Sequence, residues 1–178
     1  MTTATSDYRY SEELAADAMQ EAVAEYNSIV ESGYDPFDEI MGMQHSLQVD
    51  LANRLPSFNV NPEEIQTKGD LIDWLNGNID AIQDEFRELK TSVGGVDTHG
   101  EKGANAVWKR WKAKHGELQQ EELDSMSPRD ELEMKMEMLD IFFFTLNCFI
   151  GMGMSSREIF MLYYIKNREN LKRYESGY

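Results

Sequence analysis

The chain predicts an all-α fold arranged as an antiparallel helical bundle, and three observations carry that reading. Helix starts recur: Asp35-Pro-Phe-Asp38, Asn61-Pro-Glu-Glu64 and Ser127-Pro-Arg-Asp130 each set a capping side chain before a proline at the first helical position. Ser155-Ser-Arg-Glu158 adds the form of a capping box. Helix stops follow at Gly33, Gly94-Gly95 and the Gly151 to Gly153 stretch. Finally, no segment alternates apolar and polar residues long enough for a sheet.

The elements follow in order. A helix over 10–31 is amphipathic and stops before a Gly-Tyr-Asp-Pro break. It reads as an N-terminal arm, residues 1–34, packing on the bundle or on a second subunit. The main domain is then 35–178. Its helices are expected at 36–54, 68–92, 104–124, 128–150 and 155–173, with a short turn at Pro62. Several long helices with short links favour antiparallel neighbours. The stretch Ser92 to Gly103 is rich in glycine and polar residues, so it is either a plain connector or a mobile loop over a site.

Composition removes several function classes. The 178 residues carry a formal charge of −16. Nucleic-acid binding needs a basic face, and an anionic membrane repels a surface this acidic, so neither partner is expected. Basic residues are clustered, with five from Lys102 to Lys114 and four from Lys166 to Arg173. These are either solvated helix faces or local exceptions that meet an anionic ligand. Cys148 is the single cysteine, which rules out an internal disulfide and fits a reducing compartment. The apolar run Leu139 to Met154 is shorter than the roughly 20 residues of a membrane span. With no export pattern in the opening residues, a cytoplasmic location is expected.

Chemistry concentrates on two helices. After Ser127, the residues Glu133, Glu137, Asp140, Phe144 and Asn147 fall at steps of four, three, four and three, which is one helical face. The apolar run MLDIFFFTLNCFIGMGM should make the later half of this helix central. Burying carboxylates there costs several kcal/mol each, roughly, unless they pair or bind metal. Glu133 reads as solvated, and Glu137 and Asp140 as metal ligands. On the preceding long helix, Glu85 and Glu88 stand one turn apart beside Phe86 and Leu89, which are expected to point inward. Such a pair alone is common on solvated faces; two pairs on two bundle helices can converge into a cage of oxygen ligands. The histidines, at 45, 99 and 115, lack the Glu-x-x-His spacing of di-iron bundles. An all-oxygen set suits Mg²⁺ or Mn²⁺, and Mg²⁺ commonly shares itself with phosphates.

The last helix offers a complement. Lys166, Asn170 and Arg173 lie on one face, either to hold a polyphosphate or to answer the helix macrodipole. Trp108 and Trp111 read first as apolar anchors and second as base-stacking residues. Gln44 and Gln48, one turn apart, either bond within the protein or read a base edge.

Taken together, DEFREL from Asp84, AVWKRWKAK, MSPRDELEMKMEMLD and the long C-terminal stretch EMLDIFFFTLNCFIGMGMSSREIFMLYYIKNRENLKRYESGY resemble the dimeric all-α dUTPase and MazG-like NTP pyrophosphohydrolase superfamily. The order of motifs is most like the branch of T-even-like phages that acts on dCTP and dUTP. The resemblance implies an all-α NTP pyrophosphohydrolase fold, a homodimer and a pyrimidine deoxynucleoside triphosphate substrate cut to monophosphate and pyrophosphate. It implies Mg²⁺ on Glu85, Glu88, Glu137 and Asp140, with Glu88 orienting or deprotonating the attacking water. It implies phosphate contacts from Lys166, Asn167, Asn170, Arg173 and Tyr178, and base contacts from Gln44, Gln48 and Asn147. One departure is Phe143, in a segment where relatives often carry His. Two rivals remain open: a general MazG-like housecleaning enzyme, and a non-catalytic helical interaction protein.

Overall fold

The structure is a computed structural model of the chain and describes residues 16–56 and 60–175. Five long helices dominate: α1 (Ala16–Ser32), α2 (Pro36–Arg54), α3 (Lys68–Val93), and, after three one-turn helices, α7 (Pro128–Gly151) and α8 (Ser156–Glu175). The short ones are α4 (Val96–His99), α5 (Glu101–Ala104) and α6 (His115–Leu118). Single 3₁₀ turns occur at Pro62–Glu64, Asn105–Val107 and Leu123–Ser125. No strand occurs among the described residues, so the all-α reading holds.

The start signals work as their chemistry requires. Asp35 accepts from the Phe37 amide and Asn61 from the Glu63 amide, each satisfying a donor with no helical partner. Ser127 Oγ accepts from the Asp130 amide at 3.0 Å, and Ser155 Oγ accepts from the Glu158 amide at 3.2 Å. Gly33, Gly95 and Gly153 carry the positive φ angles that end or redirect a helix. The part of the predicted arm before residue 16 lies outside the described residues.

The chain divides into two compact units. The first comprises the described residues 16–28 and 77–145. Its core includes Ala104, Ala106 and Leu118. Asp130 is fully buried there and ties the turn after α3 to the start of α7. Its carboxylate accepts from the Asp97 amide at 2.7 Å, the Thr98 amide at 3.3 Å, Thr98 Oγ1 at 2.6 Å and Ser127 Oγ at 3.0 Å. The second unit comprises 29–76 and 146–175. Met41, Gln44, Ala52, Trp74, Leu146, Asn147 and Ser156 are buried in it, and Ser156 Oγ donates to Asp38.

Two expectations need correction, and the open reading of the glycine-rich stretch gains a structural detail. First, the single helix over 104–124 does not form; α5, α6 and two 3₁₀ turns take its place. The reason lies in side chains that claim main-chain carbonyls. Lys112 Nζ donates to Lys102 O at 2.8 Å and Gln119 Nε2 to Val107 O at 3.2 Å, while His115 Nδ1 lies 2.9 Å from Ala106 O. Such local bonds compete with the i to i+4 ladder. The glycine-rich stretch after Ser92 is closely packed. A Cβ at Gly94 would lie 2.0 Å from Ala104 O, so only glycine permits that approach. Second, the apolar half of α7 is not covered all round within this chain: Met138 is 55% and Phe143 40% exposed.

Candidate functional site

The acidic residues of α3 and α7 converge in the first unit. Glu85, Glu137 and Asp140, all half-buried, each offer a carboxylate oxygen, and these atoms lie within 4.8 Å of one another. The i, i+3 spacing of Glu137 and Asp140 puts both on one face of α7, opposite Glu85 on α3. Glu88 is exposed and is not one of the three, yet its charge acts on them. Burial, then the charges of Glu88, Glu85, Asp140 and Glu133, push the Glu137 carboxyl up to about 7. Glu85 is also raised, by burial first and then by Glu88, Asp140 and Asp84, against a hydrogen bond with Glu137 that lowers it.

This electrostatic crowding tests the fit of a cation. The ion pairs formed among the described residues leave Glu85, Glu88, Glu137 and Asp140 out. Like charges held this close disfavour full ionisation unless a positive charge enters. The donors are all hard oxygens, which suits a divalent cation of the Mg²⁺ or Mn²⁺ kind.

Neighbouring aromatic side chains depart from expectation. Phe86 is 52% exposed, with Lys90 Nζ 4.7 Å from its ring centroid. Trp108 donates its indole N–H to Thr91 Oγ1 at 3.1 Å and carries Lys90 and Lys109 over its ring. Trp111 is 78% exposed, so it is not buried as an apolar anchor among the described residues. A recess of about 640 Å³ in the same unit is lined by Gly94, Gly95, His99, Leu118, Glu121 and Asp130 among others. The acid cluster does not line it. At its edge His99 Nε2 and Glu121 pair at 3.1 Å.

The second unit holds the residues expected at base and phosphates. Gln44 Nε2 donates to Asn147 Oδ1 at 2.8 Å, and both residues are buried. Gln48, one turn further along α2, is half-buried. Lys166, Asn167, Asn170 and Arg173 lie along α8 and are exposed. Tyr178 lies outside the described residues. Two residues that were not among the expected site residues lie at the turn of α7 that carries Asn147. Trp74 Nε1 donates to the Asn147 main-chain oxygen at 2.7 Å, and Gly151 lies against the same indole. A tryptophan on an otherwise amphipathic helix was the available signal, but nothing in spacing pointed to its partner.

The fold and the carboxylates define an all-helical protein with a cluster of three converging acidic side chains. No family model and no solved structure matches the chain. Comparison with curated proteins narrows the class. The chain is 45% identical over 162 residues to the dCTP pyrophosphatase of Enterobacteria phage T4, covering 91% of this chain and 94% of that protein. It is 43% identical over the same shares to the dCTP pyrophosphatase of Enterobacteria phage LZ5. It is also 45% identical over 155 residues to a protein of phage T4 described as a DNA replication protein, covering 87% of this chain and 39% of the relative. The chain belongs to the phage dCTP pyrophosphatase family, which agrees with the resemblance read from its motifs.

Proposed function

We propose that this protein hydrolyses dCTP, and dUTP beside it, to the nucleoside monophosphate and pyrophosphate in a Mg²⁺-dependent reaction. The observation that carries the reading is the convergence of Glu85, Glu137 and Asp140 within 4.8 Å in a chain 45% identical to a dCTP pyrophosphatase. Glu85, Glu137 and Asp140 would hold the cation, with Glu88 as the fourth carboxylate of the expected set. Bound there, Mg²⁺ would neutralise charge on the triphosphate and make a bound water more acidic. Glu88, exposed and free of the three-oxygen cluster, orients the attacking water and takes its proton. Lys166 and Arg173 meet the charge of the leaving pyrophosphate, and Asn167, Asn170 and Tyr178 add hydrogen bonds to phosphate oxygens. Gln44, Gln48 and Asn147 contact the pyrimidine.

On this reading residues 35–178 form the pyrophosphohydrolase domain, 1–34 an N-terminal arm, and the working unit is a homodimer in the host cytoplasm. Removing dCTP and dUTP would exclude those bases from phage DNA and supply dCMP and dUMP. Incubating the protein with each dNTP, with and without Mg²⁺, tests the assignment. Monophosphate and pyrophosphate are expected from dCTP and dUTP only with Mg²⁺. No hydrolysis of any dNTP would reject it, and equal rates on purines and pyrimidines would replace it with a general housecleaning activity.

A further inference from the structure

Gly151 is the last residue of α7, and its φ is not positive; among the described residues Gly153 carries the φ of +69° in that turn. The absence of a side chain at Gly151 therefore has a different cause, which is space. A Cβ built there would lie 2.4 Å from Trp74 Cδ1 and 2.5 Å from Trp74 Nε1. Real Cβ atoms do not approach that closely, so the rigid indole is seated directly on the glycine. Trp74 is 7% exposed on α3, and its Nε1 donates at 2.7 Å to the main-chain oxygen of Asn147, one turn back from Gly151.

Asn147 is thus held by side chains from two other helices. Trp74 of α3 holds its backbone oxygen, and Gln44 of α2 donates to its side-chain oxygen at 2.8 Å. The second bond fixes which way the amide of Asn147 faces, because its Oδ1 is committed to Gln44. The first fixes the height and rotation of the helical turn that carries that amide. Asn147 is 2% exposed and Gln44 5%, so neither amide can turn toward bulk water to adjust. Replacing the indole by a ring without N–H, or adding a methyl group at Gly151, displaces the turn while leaving both amides chemically intact.

We propose that Trp74, seated on Gly151, is a positioning residue for pyrimidine recognition that sets the orientation of the Asn147–Gln44 amide pair. The proposal rests on the reading that this pair contacts the base. It predicts an effect on substrate binding in preference to the chemical step, since Trp74 touches neither the acids nor the phosphates in that reading.

The test is steady-state hydrolysis of dCTP, dUTP and dATP by the full chain with Mg²⁺, comparing Trp74→Phe, Gly151→Ala, their double variant and Gln44→Ala. Loss of one such hydrogen bond should raise KM for dCTP about tenfold in either single variant, with kcat within about twofold of the parent. The preference for dCTP over dATP should fall by a similar factor. Because both residues act through one contact, the double variant should be no worse than the poorer single one. Should Trp74→Phe not fold, Gly151→Ala carries the test alone, since alanine favours the helix it enters. If Gln44→Ala raises KM while Trp74→Phe and Gly151→Ala leave KM and selectivity unchanged, the positioning role is wrong and the base reading stands. If Gln44→Ala also leaves KM and selectivity unchanged, the base reading itself fails. Equal falls in kcat for all three substrates with KM constant would also overturn the proposal.

Discussion

Thr98 Oγ1 donates a 2.6 Å hydrogen bond to Asp130, a fully buried carboxylate in the first turn of α7. Burial raises the Asp130 carboxyl, but hydrogen bonds from Thr98, Asp97 and Ser127 outweigh it and hold the group below the ordinary carboxylate range. Its folded value is therefore depressed. The stabilisation is fully present above the unfolded value of about 3.9 and is lost as pH falls through the folded value. Asp130→Ala leaves the part-buried Asp97 and Thr98 amides without their carboxylate acceptor and should cost about 1–3 kcal/mol. Urea denaturation at neutral pH checks the loss. The same measurement down the acid limb should show a shallower slope in the variant than in the parent.

The acid cluster gives the opposite pH dependence. Burial and the charges of Glu88, Glu85, Asp140 and Glu133 raise Glu137 to about 7, above its unfolded value. Between the unfolded value and 7 the unfolded chain has already lost the proton that the folded one keeps, so raising pH across that window weakens the fold. In EDTA, the urea midpoint should fall as pH rises from about 5 to about 7 and then level off. Glu137→Gln should flatten the fall. Glu88→Gln, which removes the largest of the neighbouring charges acting on Glu137, should reduce it. Millimolar Mg²⁺ should raise the midpoint most at pH 7 and above, where no proton competes for the oxygens.

Glu88 separates chemistry from folding. Its side chain is exposed and lies outside the three-oxygen set, so Glu88→Gln disturbs little packing. Loss of a general base should cut turnover about 100-fold or more. Circular dichroism should stay at parental helicity, and binding of Mn²⁺ in place of Mg²⁺, followed by electron paramagnetic resonance, should persist. Turnover within a few-fold of the parent would remove Glu88 from the reaction.

The exposed apolar surface bears on assembly. On α8, Phe160, Met161, Leu162, Tyr163, Tyr164 and Ile165 form a run whose members are 49% to 69% exposed. Contiguous apolar surface of this kind marks interaction sites. Sedimentation equilibrium of the parent should give twice the 20.6 kDa chain mass, and Leu162→Glu should shift the distribution toward that single mass. A parent that sediments as a monomer would reject the homodimer.

Much of the fold was legible because its helix ends are written in local chemistry. Asp35, Asn61, Ser127 and Ser155 each accept the amide hydrogen that their position predicts. The convergence of Glu85 with Glu137 and Asp140 was legible as two spacings on two long helices, because the helical period alone puts each pair on a face. Other features were not. The 104–124 segment has helical composition, but Lys112 and Gln119 satisfy carbonyls through side chains, and such bonds leave no periodic trace. Phe86 shows how an apolar residue beside a predicted ligand can face outward with a lysine ammonium over its ring. The Trp74–Gly151 seat joins residues far apart in sequence through shape, and shape is invisible to spacing.

The three tryptophans also make the molecule self-reporting. Trp74 is enclosed beside Asn147, Trp108 lies beneath two lysine ammonium groups, and Trp111 stands in solvent. Their emission should therefore separate by colour and by access to quencher. Iodide should extinguish the red-edge light of Trp111 and leave the blue-edge light of Trp74. Each unit thus carries its own optical label, so the response of the amide pair to nucleotide can be followed without adding a probe.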